Sequence, residues 1–122
     1  MQLGGNRPQA RTHAARIVLA RQRGHLASGL SRQVAEHNVT INGLLPGQFN
    51  TDRIESLIAN SAKNEGRSQE EMRNILEQAT PAKRLGEIEE FGFACAWMCS
   101  AYSGFLTGQN ILMDGGKFNS TL

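Results

Sequence analysis

Apolar positions recur at helical spacing in four segments of the chain and gather into β-branched or aliphatic runs in two others. Leu26, Leu30, Val34 and Ala35 follow one another mostly at four-residue steps and predict a helix with one apolar stripe. Helix-favouring residues already dominate from about Ala10, with Gly24 as a candidate break, whereas Gly4-Gly5 and Pro8 make residues 1–8 a poor start for regular structure. Asn38 ends the helix and Val39-Thr40-Ile41-Asn42 reads as a short strand, left through the turn Gly43-Leu44-Leu45-Pro46-Gly47. Ile54, Leu57 and Ile58 predict a second helix, broken at Asn64-Glu65-Gly66. Ser68 followed by Glu71 has the spacing of a capping box, and Met72, Ile75 and Leu76 form the apolar face behind it. Thr80-Pro81 stops that helix and opens a polar loop through Arg84-Leu85-Gly86. Glu87, Glu89 and Glu90 then start a helix where negative charge favours its dipole, with Phe91, Ala94, Cys95 and Met98 as its buried side. Ser103-Gly104 marks its exit, and Asn110-Ile111-Leu112-Met113 is a second strand before Asp114-Gly115-Gly116.

Helices alternating with strands imply α/β layering with crossover connections. Two strands of about four residues do not make an independently stable sheet, because a parallel sheet needs neighbours and cover on both faces. With 122 residues the chain holds one small domain at most, and the pattern predicts part of a larger sheet.

A hydrophobic share of 39% with 20% charged residues is that of a folded chain. Two cysteines cannot form a secreted disulfide framework, so a reducing, cytoplasmic setting is expected. The longest uncharged stretch, Phe91 to Met113, is interrupted by Ser100, Ser103, Gly104, Thr107, Gly108, Gln109 and Asn110, which speaks against a membrane span. The net charge of +2 hides an asymmetry: Arg7, Arg11, Arg16, Arg21, Arg23 and Arg32 fall in residues 1–32 with no acid among them. Such a segment reads as an organellar presequence, as a basic arm for nucleic acid, or as a solvated face without a selected role. The last leads, and nucleic acid comes last, since no aromatic lies between the arginines to stack on bases.

The run from Val39 through Pro46-Gly47 to Gln48-Phe49-Asn50-Thr51 resembles the C-terminal half of the short-chain dehydrogenase/reductases, of the 3-oxoacyl-carrier-protein-reductase-like kind. The resemblance continues at Arg84-Leu85-Gly86 and Glu89-Glu90, where Ile88 stands in place of the family's usual proline. It closes at Leu106 through Gly116 and so covers about Leu26 to Gly116. It implies the C-terminal part of a Rossmann-like doubly wound parallel sheet, incomplete, with two short strands and several helices. It also implies NAD(P) as cofactor, with Pro46, Gly47, Phe49 and Thr51 on the nicotinamide side and hydride exchange with a carbonyl or alcohol as the reaction. Gly47 would let the backbone approach a flat ring, and Thr51 would offer a hydroxyl to a carboxamide or phosphate; Thr51-Asp52 reads also as a helix cap, the stronger reading from sequence.

The family's catalytic Tyr-x-x-x-Lys pair is missing: Tyr102 is the one tyrosine, and none of Lys63, Lys83 and Lys117 lies four residues after it. Counting back from Asn42 by the family's interval puts Arg16 at the tyrosine place and Ala20 at the lysine place. Arg16 cannot serve as an acid near neutral pH, since a guanidinium keeps its proton. Gly4-Gly5, with no strand before it, is not a dinucleotide fingerprint. The expected organisation is an atypical Arg-rich segment over 1–25, the family's C-terminal half over 26–116 and a tail over 117–122. The start is read as a truncation, an upstream frame error or a remnant, and the chain by itself as inactive, with no catalytic residue.

Cys95 and Cys99 lack further ligands and are expected in the core, and His13, His25 and His37 recur without a carboxylate or thiol to complete a ligand set, so no metal site is predicted. Phe91, Phe93, Trp97 and Met98 are read as core or subunit contacts. By the same resemblance the last helix, with Phe105, Leu106 and the final strand, packs against a second copy or a homologous subunit. The alternative function is therefore a non-catalytic interaction module that pairs with a complete homologue.

Overall fold

A computed structural model describes residues 16–19 and 24–119. The elements are β1 (Arg16–Leu19), α1 (Gly24–Val34), a 3-10 turn at Ala35–His37 and β2 (Thr40–Pro46). They continue through α2 (Asp52–Glu65), α3 (Gln69–Gln78), α4 (Ile88–Met98), a 3-10 turn at Ala101–Ser103 and β3 (Asn110–Met113). The strands form one parallel sheet in the order β1-β2-β3. Arg16 stands opposite Thr40 at one edge of β2, and Gly43 to Pro46 stand opposite Asn110 to Met113 at the other.

The α/β layering is as expected, but the strand count is three rather than two. Arg16–Leu19 is a strand where helix was anticipated, and Gly24 is the first residue of α1 rather than a break. Tertiary pairing with β2 overrides the helical propensity of the flanking residues. Strand β2 also continues through Gly43-Leu44-Leu45-Pro46, which was read as the exit turn. A central parallel strand is covered on both faces, so its sequence runs apolar without alternation and its end is not marked by a change of pattern. Thr40 to Leu44 are all buried. The readings placed on Arg7, Arg11, His13, Ala20, Arg21 and Arg23 lie outside the described residues.

The buried apolar residues are Ile41 and Leu44 of β2, Phe49, Leu85, Met98 of α4, and Ile58 and Ala62 of α2. Helix α1 turns differently from its predicted stripe: Leu30 is 46% exposed, whereas Ser31 is buried and donates its hydroxyl to the Ser28 carbonyl at 2.8 Å. The Ser31 side chain fills the space over Gly108, where an added Cβ would lie 2.8 Å from the Ser31 hydroxyl oxygen. Helix α2 ends at Gly66 in a left-handed conformation, and α3 begins with the anticipated capping box: the Glu71 N–H donates to Ser68 Oγ and the Ser68 N–H donates to Glu71 Oε2. In α4 Met98 is fully buried and Phe91, Ala94 and Cys95 are half-buried; Cys99, Phe93 and Trp97, anticipated in core or contact positions, are exposed in this chain.

The segment that carries the chain from α4 into β3 is held by Asn42, which is 1% exposed. Its Nδ2 donates to the Leu106 carbonyl at 2.9 Å and its Oδ1 accepts the Gln109 N–H at 3.1 Å. The Thr107 hydroxyl oxygen accepts the Ile41 N–H at 3.2 Å, and the Gly108 N–H donates to the Ile41 carbonyl at 2.8 Å. Replacing Asn42 with Ala leaves the half-buried Leu106 carbonyl and the Gln109 N–H without these partners, where a fully buried group would lose about 1–3 kcal/mol. The variant Asn42→Ala is therefore expected to lose about 2–4 kcal/mol in urea unfolding. An unchanged midpoint would show that the 106–109 segment is positioned by something else.

Candidate functional site

Open parallel sheets bind ligands at the carboxyl ends of their strands, where the loops diverge. Here that end is built from the exits of β2 and β3 and from the loop before α4. Pro46, exposed, closes β2 opposite Met113. The Gly47 N–H then donates to the Met113 carbonyl at 2.8 Å, and a Cβ on Gly47 would lie 2.5 Å from the Asp114 Cα. The glycine is thus demanded by the approach of the β3 exit.

Phe49 is buried, its ring meeting Phe91 edge to face at a centroid distance of 5.4 Å. It also pairs with Gly86: the Asn50 N–H donates to the Gly86 carbonyl at 2.7 Å and the Gly86 N–H to the Gln48 carbonyl at 3.0 Å. A Cβ on Gly86 would stand 2.6 Å from the Phe49 ring, so the ring occupies the space that a side chain would need. Thr51 caps α2, its Oγ1 accepting the Ile54 N–H at a long 3.4 Å, as its cap reading required. Its own O–H has no acceptor among the described residues.

Asp114 organises the β3 exit. Its carboxylate accepts the Gly116 N–H at 2.9 Å and the Phe118 N–H at 2.8 Å, with Gly115 and Gly116 both at positive φ. The Ala82 N–H donates to the Gly115 carbonyl at 3.0 Å and joins this turn to the loop before α4. Beside it the Arg84 guanidinium grips Glu90 through two bonds of 2.7 Å. Glu90 also accepts the Glu87 N–H at 2.8 Å, which caps α4. The Arg84 hydrogen bond, and then the Glu87 backbone bond, hold the Glu90 carboxyl down to about 2, and Glu90 in turn raises Arg84.

A cleft of about 250 Å³ opens among these groups, lined in part by Gln48, Phe49, Arg84, Leu85, Asp114 and Gly116. That lies below the roughly 300–1,000 Å³ of pockets that enclose a drug-sized ligand. Of the four residues singled out from sequence, Phe49 lines this cleft, Gly47 packs on its wall at Asp114, and Pro46 and Thr51 stand outside it. The charged groups of the cleft are already committed to one another or to backbone, so the arrangement positions loops and offers no free acid or base. Tyr102 is 92% exposed beyond the far end of α4, whose eleven residues span roughly 16 Å. Arg16, at the place the family interval gives to the tyrosine, opens β1 opposite Thr40.

Sequence reasoning missed two supports of this end. The Arg84–Glu90 pair joins residues six apart across a loop and a helix cap. Arg73 of α3 pairs with Glu55 of α2 and donates to Asn50 Oδ1 at 3.5 Å, which ties both helices to the β2 exit loop. Its spacing to Glu77 was legible as an i,i+4 pair, at 3.8 Å, but the partner on α2 was not. Among the described residues no three His, Cys, Asp or Glu side chains gather as a metal site, and no helix is long and apolar enough to cross a membrane.

The family model described as enoyl-(acyl carrier protein) reductase matches residues 24–117, well over half of the chain. The chain belongs to the short-chain dehydrogenase/reductase family. Among relatives in that family, the NADPH-dependent reductase BacG of Bacillus subtilis (strain 168) is 34% identical over 94 residues, covering 77% of this chain and 36% of BacG. Gluconate 5-dehydrogenase of Gluconobacter oxydans (strain 621H) is 36% identical over 92 residues, 75% of this chain and 32% of that enzyme. The crystal structure of a short chain dehydrogenase family protein from Francisella tularensis subsp. tularensis SCHU S4 superposes with a TM-score of 0.73 at 29% identity, over 77% of this chain and 39% of that one. The chain thus spans about a third of the length of these curated short-chain dehydrogenase/reductase relatives.

The Arg84–Glu90 pair has a measurable signature. Glu90 titrates well below an unfolded glutamate at about 4.3, so its contribution to stability is complete above that value and is lost as pH falls toward about 2. An NMR titration of the Glu90 carboxyl is expected to show a midpoint near 2, moving up toward the ordinary range in Arg84→Ala. A midpoint unmoved by that substitution would remove Arg84 as the cause.

Proposed function

We propose that this chain supplies the nicotinamide side of an NAD(P)-dependent oxidoreductase that acts on a carbonyl or alcohol, and that by itself it transfers no hydride. The observation that carries this reading is the Pro46-Gly47 turn at the carboxyl end of the central strand, with Thr51 capping α2 four residues after Gly47. The residues fit one end of the cofactor. Thr51 keeps a hydroxyl proton to donate, while Asp52 and Glu55 put two carboxylates in the adjoining first turn of α2. Those charges oppose a phosphate and favour the neutral carboxamide as the Thr51 partner. Pro46 and Phe49 support the turn from its two sides, and Gly47 keeps it close to β3. When bound, the nicotinamide supplies or accepts the hydride. The proton exchanged with the substrate oxygen needs a separate acid, and Tyr102 with Lys63, Lys83 and Lys117 does not form one in this sequence. The relative in Bacillus subtilis is named an NADPH-dependent reductase, which supports NAD(P) as the cofactor class.

A second reading, an interaction module that pairs with itself or with a complete homologous subunit through α4 and β3, is favoured by a specific surface. Phe93 is 76% exposed, Trp97 48% and Phe105 fully exposed, within a stretch that carries no charge from Phe91 to Met113. The net −4 of residues 33–122 opposes nucleic acid as the partner. Two free cysteines fit a reducing compartment such as the cytoplasm.

Two experiments test these readings. Residues 24–117 exchanged for the matching segment of BacG are expected to give a chimera that oxidises NADPH. Thr51→Ala in that chimera is expected to raise the KM for NADPH by up to about tenfold, the worth of one hydrogen bond. A folded chimera that does not bind NADPH, or a KM indifferent to Thr51→Ala, would overturn the first reading. Sedimentation of the chain is expected to give a mass above one protomer that falls to one in Phe93→Ser/Trp97→Ser. A single-chain mass at all concentrations would remove self-association.

A further inference from the structure

Cys95 and Cys99 stand one helical turn apart at the end of α4, and neither contributes to the cleft or to the capping of the helix by side chain. Cys99 is exposed and Cys95 half-buried, so the pair sits at the border of the covered face and not inside it. The flank they share is open. Ala96 is exposed, and a Cβ built on Gly92 would meet nothing within 4 Å. The aromatic pair Phe93 and Trp97 lies elsewhere around the helix, with Phe93 roughly 120° from Cys99 at about 100° per residue.

Helical spacing decides which chemistry two such thiols can share. Side chains at i and i+4 have Cβ atoms about 5–6 Å apart. A direct disulfide needs about 3.5–4.5 Å, so oxidation to a cystine would have to unwind the last turn of α4. A bridging atom needs no such unwinding, because it lets the sulfurs stay apart while both bind it. A structural zinc site wants four ligands, and no group of three metal-ligating side chains exists among the described residues. The fitting ligand is therefore a soft centre satisfied by two sulfurs. Burial, and then the adjacent Cys99 thiol, push the Cys95 thiol up, in keeping with two sulfurs that lie near each other.

We propose that Cys95 and Cys99 form a dithiol site for a thiophilic trivalent arsenical of the monosubstituted type. The step is a ligand exchange without redox change. The hydrated arsenical R–As(OH)2 loses both As–O bonds and gains two As–S bonds, one to each Sγ. The two thiol protons leave with the hydroxyls as two waters, and arsenic stays trivalent. Closing the second As–S bond within one helical turn is intramolecular and gives the chelate its advantage over two separate thiols, of order 10²–10⁴ in effective affinity.

Phenylarsine oxide titrated into the whole chain tests this, with Trp97, the only tryptophan, as a fluorescence reporter two residues from each sulfur. The expected result is saturation at one arsenical per chain, loss of both thiols, resistance to excess 2-mercaptoethanol and reversal by 2,3-dimercaptopropanol. Cys95→Ser and Cys99→Ser are each expected to weaken binding by at least about 100-fold. Intact mass of the unsubstituted chain gives the same answer without a variant: one bridging phenylarsenic group supports the site. Two groups per chain, none, or binding undiminished in Cys99→Ser would overturn it.

Discussion

The close approach of β3 to β2 is the constraint on which the rest of this structure depends. It is fixed at both ends of the pair by groups that leave little latitude. At the entry, the Asn42 carboxamide spends a donor and an acceptor on Leu106 and Gln109, so the segment leaving α4 must arrive in one register. At the exit, Gly47 lies so near Asp114 that no Cβ fits between them. Between these clamps Gly43 to Pro46 pair with Asn110 to Met113. The loop before α4 is then drawn onto the β3 exit through Ala82 and Gly115, and onto the β2 exit through Gly86 and Phe49. Moving β3 would therefore move the whole carboxyl end of the sheet.

That carboxyl end is mechanically complete and chemically quiet. Arg84 and Glu90 neutralise each other while Glu90 caps α4, and the Asp114 carboxylate is consumed by two backbone N–H groups. Such groups organise loops. The hydroxyl of Thr51 stands apart from this network, its oxygen accepting the Ile54 N–H. The division is the basis of the proposed role, in which this part of a short-chain dehydrogenase/reductase would orient a ring beside a strand end. Away from that end, Phe93 and Trp97 of α4 and Phe105 are exposed, and burying each would gain about 1.5–3 kcal/mol.

Much of this was legible where local rules act alone. The Ser68–Glu71 box, the left-handed stops at Asn38 and Gly66, the acidic start of α4 and the strand Asn110–Met113 depend on spacings of a few residues. The Thr51 cap was legible for the same reason. What escaped depends on partners distant in sequence. Arg16–Leu19 is a strand because β2 lies beside it, and Ser31 rather than Leu30 is buried, packed in the space that Gly108 leaves open. The end of β2 at Pro46 was hidden because a strand covered on both faces has no alternation to lose. Gly47 is read from sequence as a place where the backbone approaches a flat ring; the neighbour that the structure supplies is instead the Asp114 backbone.

The central claim is that these residues hold the nicotinamide side of a cofactor site without the means to complete it. Calorimetric titration of NADPH into the chain tests it most directly. The account predicts no saturable heat in the micromolar range, because one hydroxyl and one strand-end turn cannot hold a dinucleotide. A one-site isotherm with micromolar affinity would contradict it and require a second, complete cradle for the cofactor within these 122 residues.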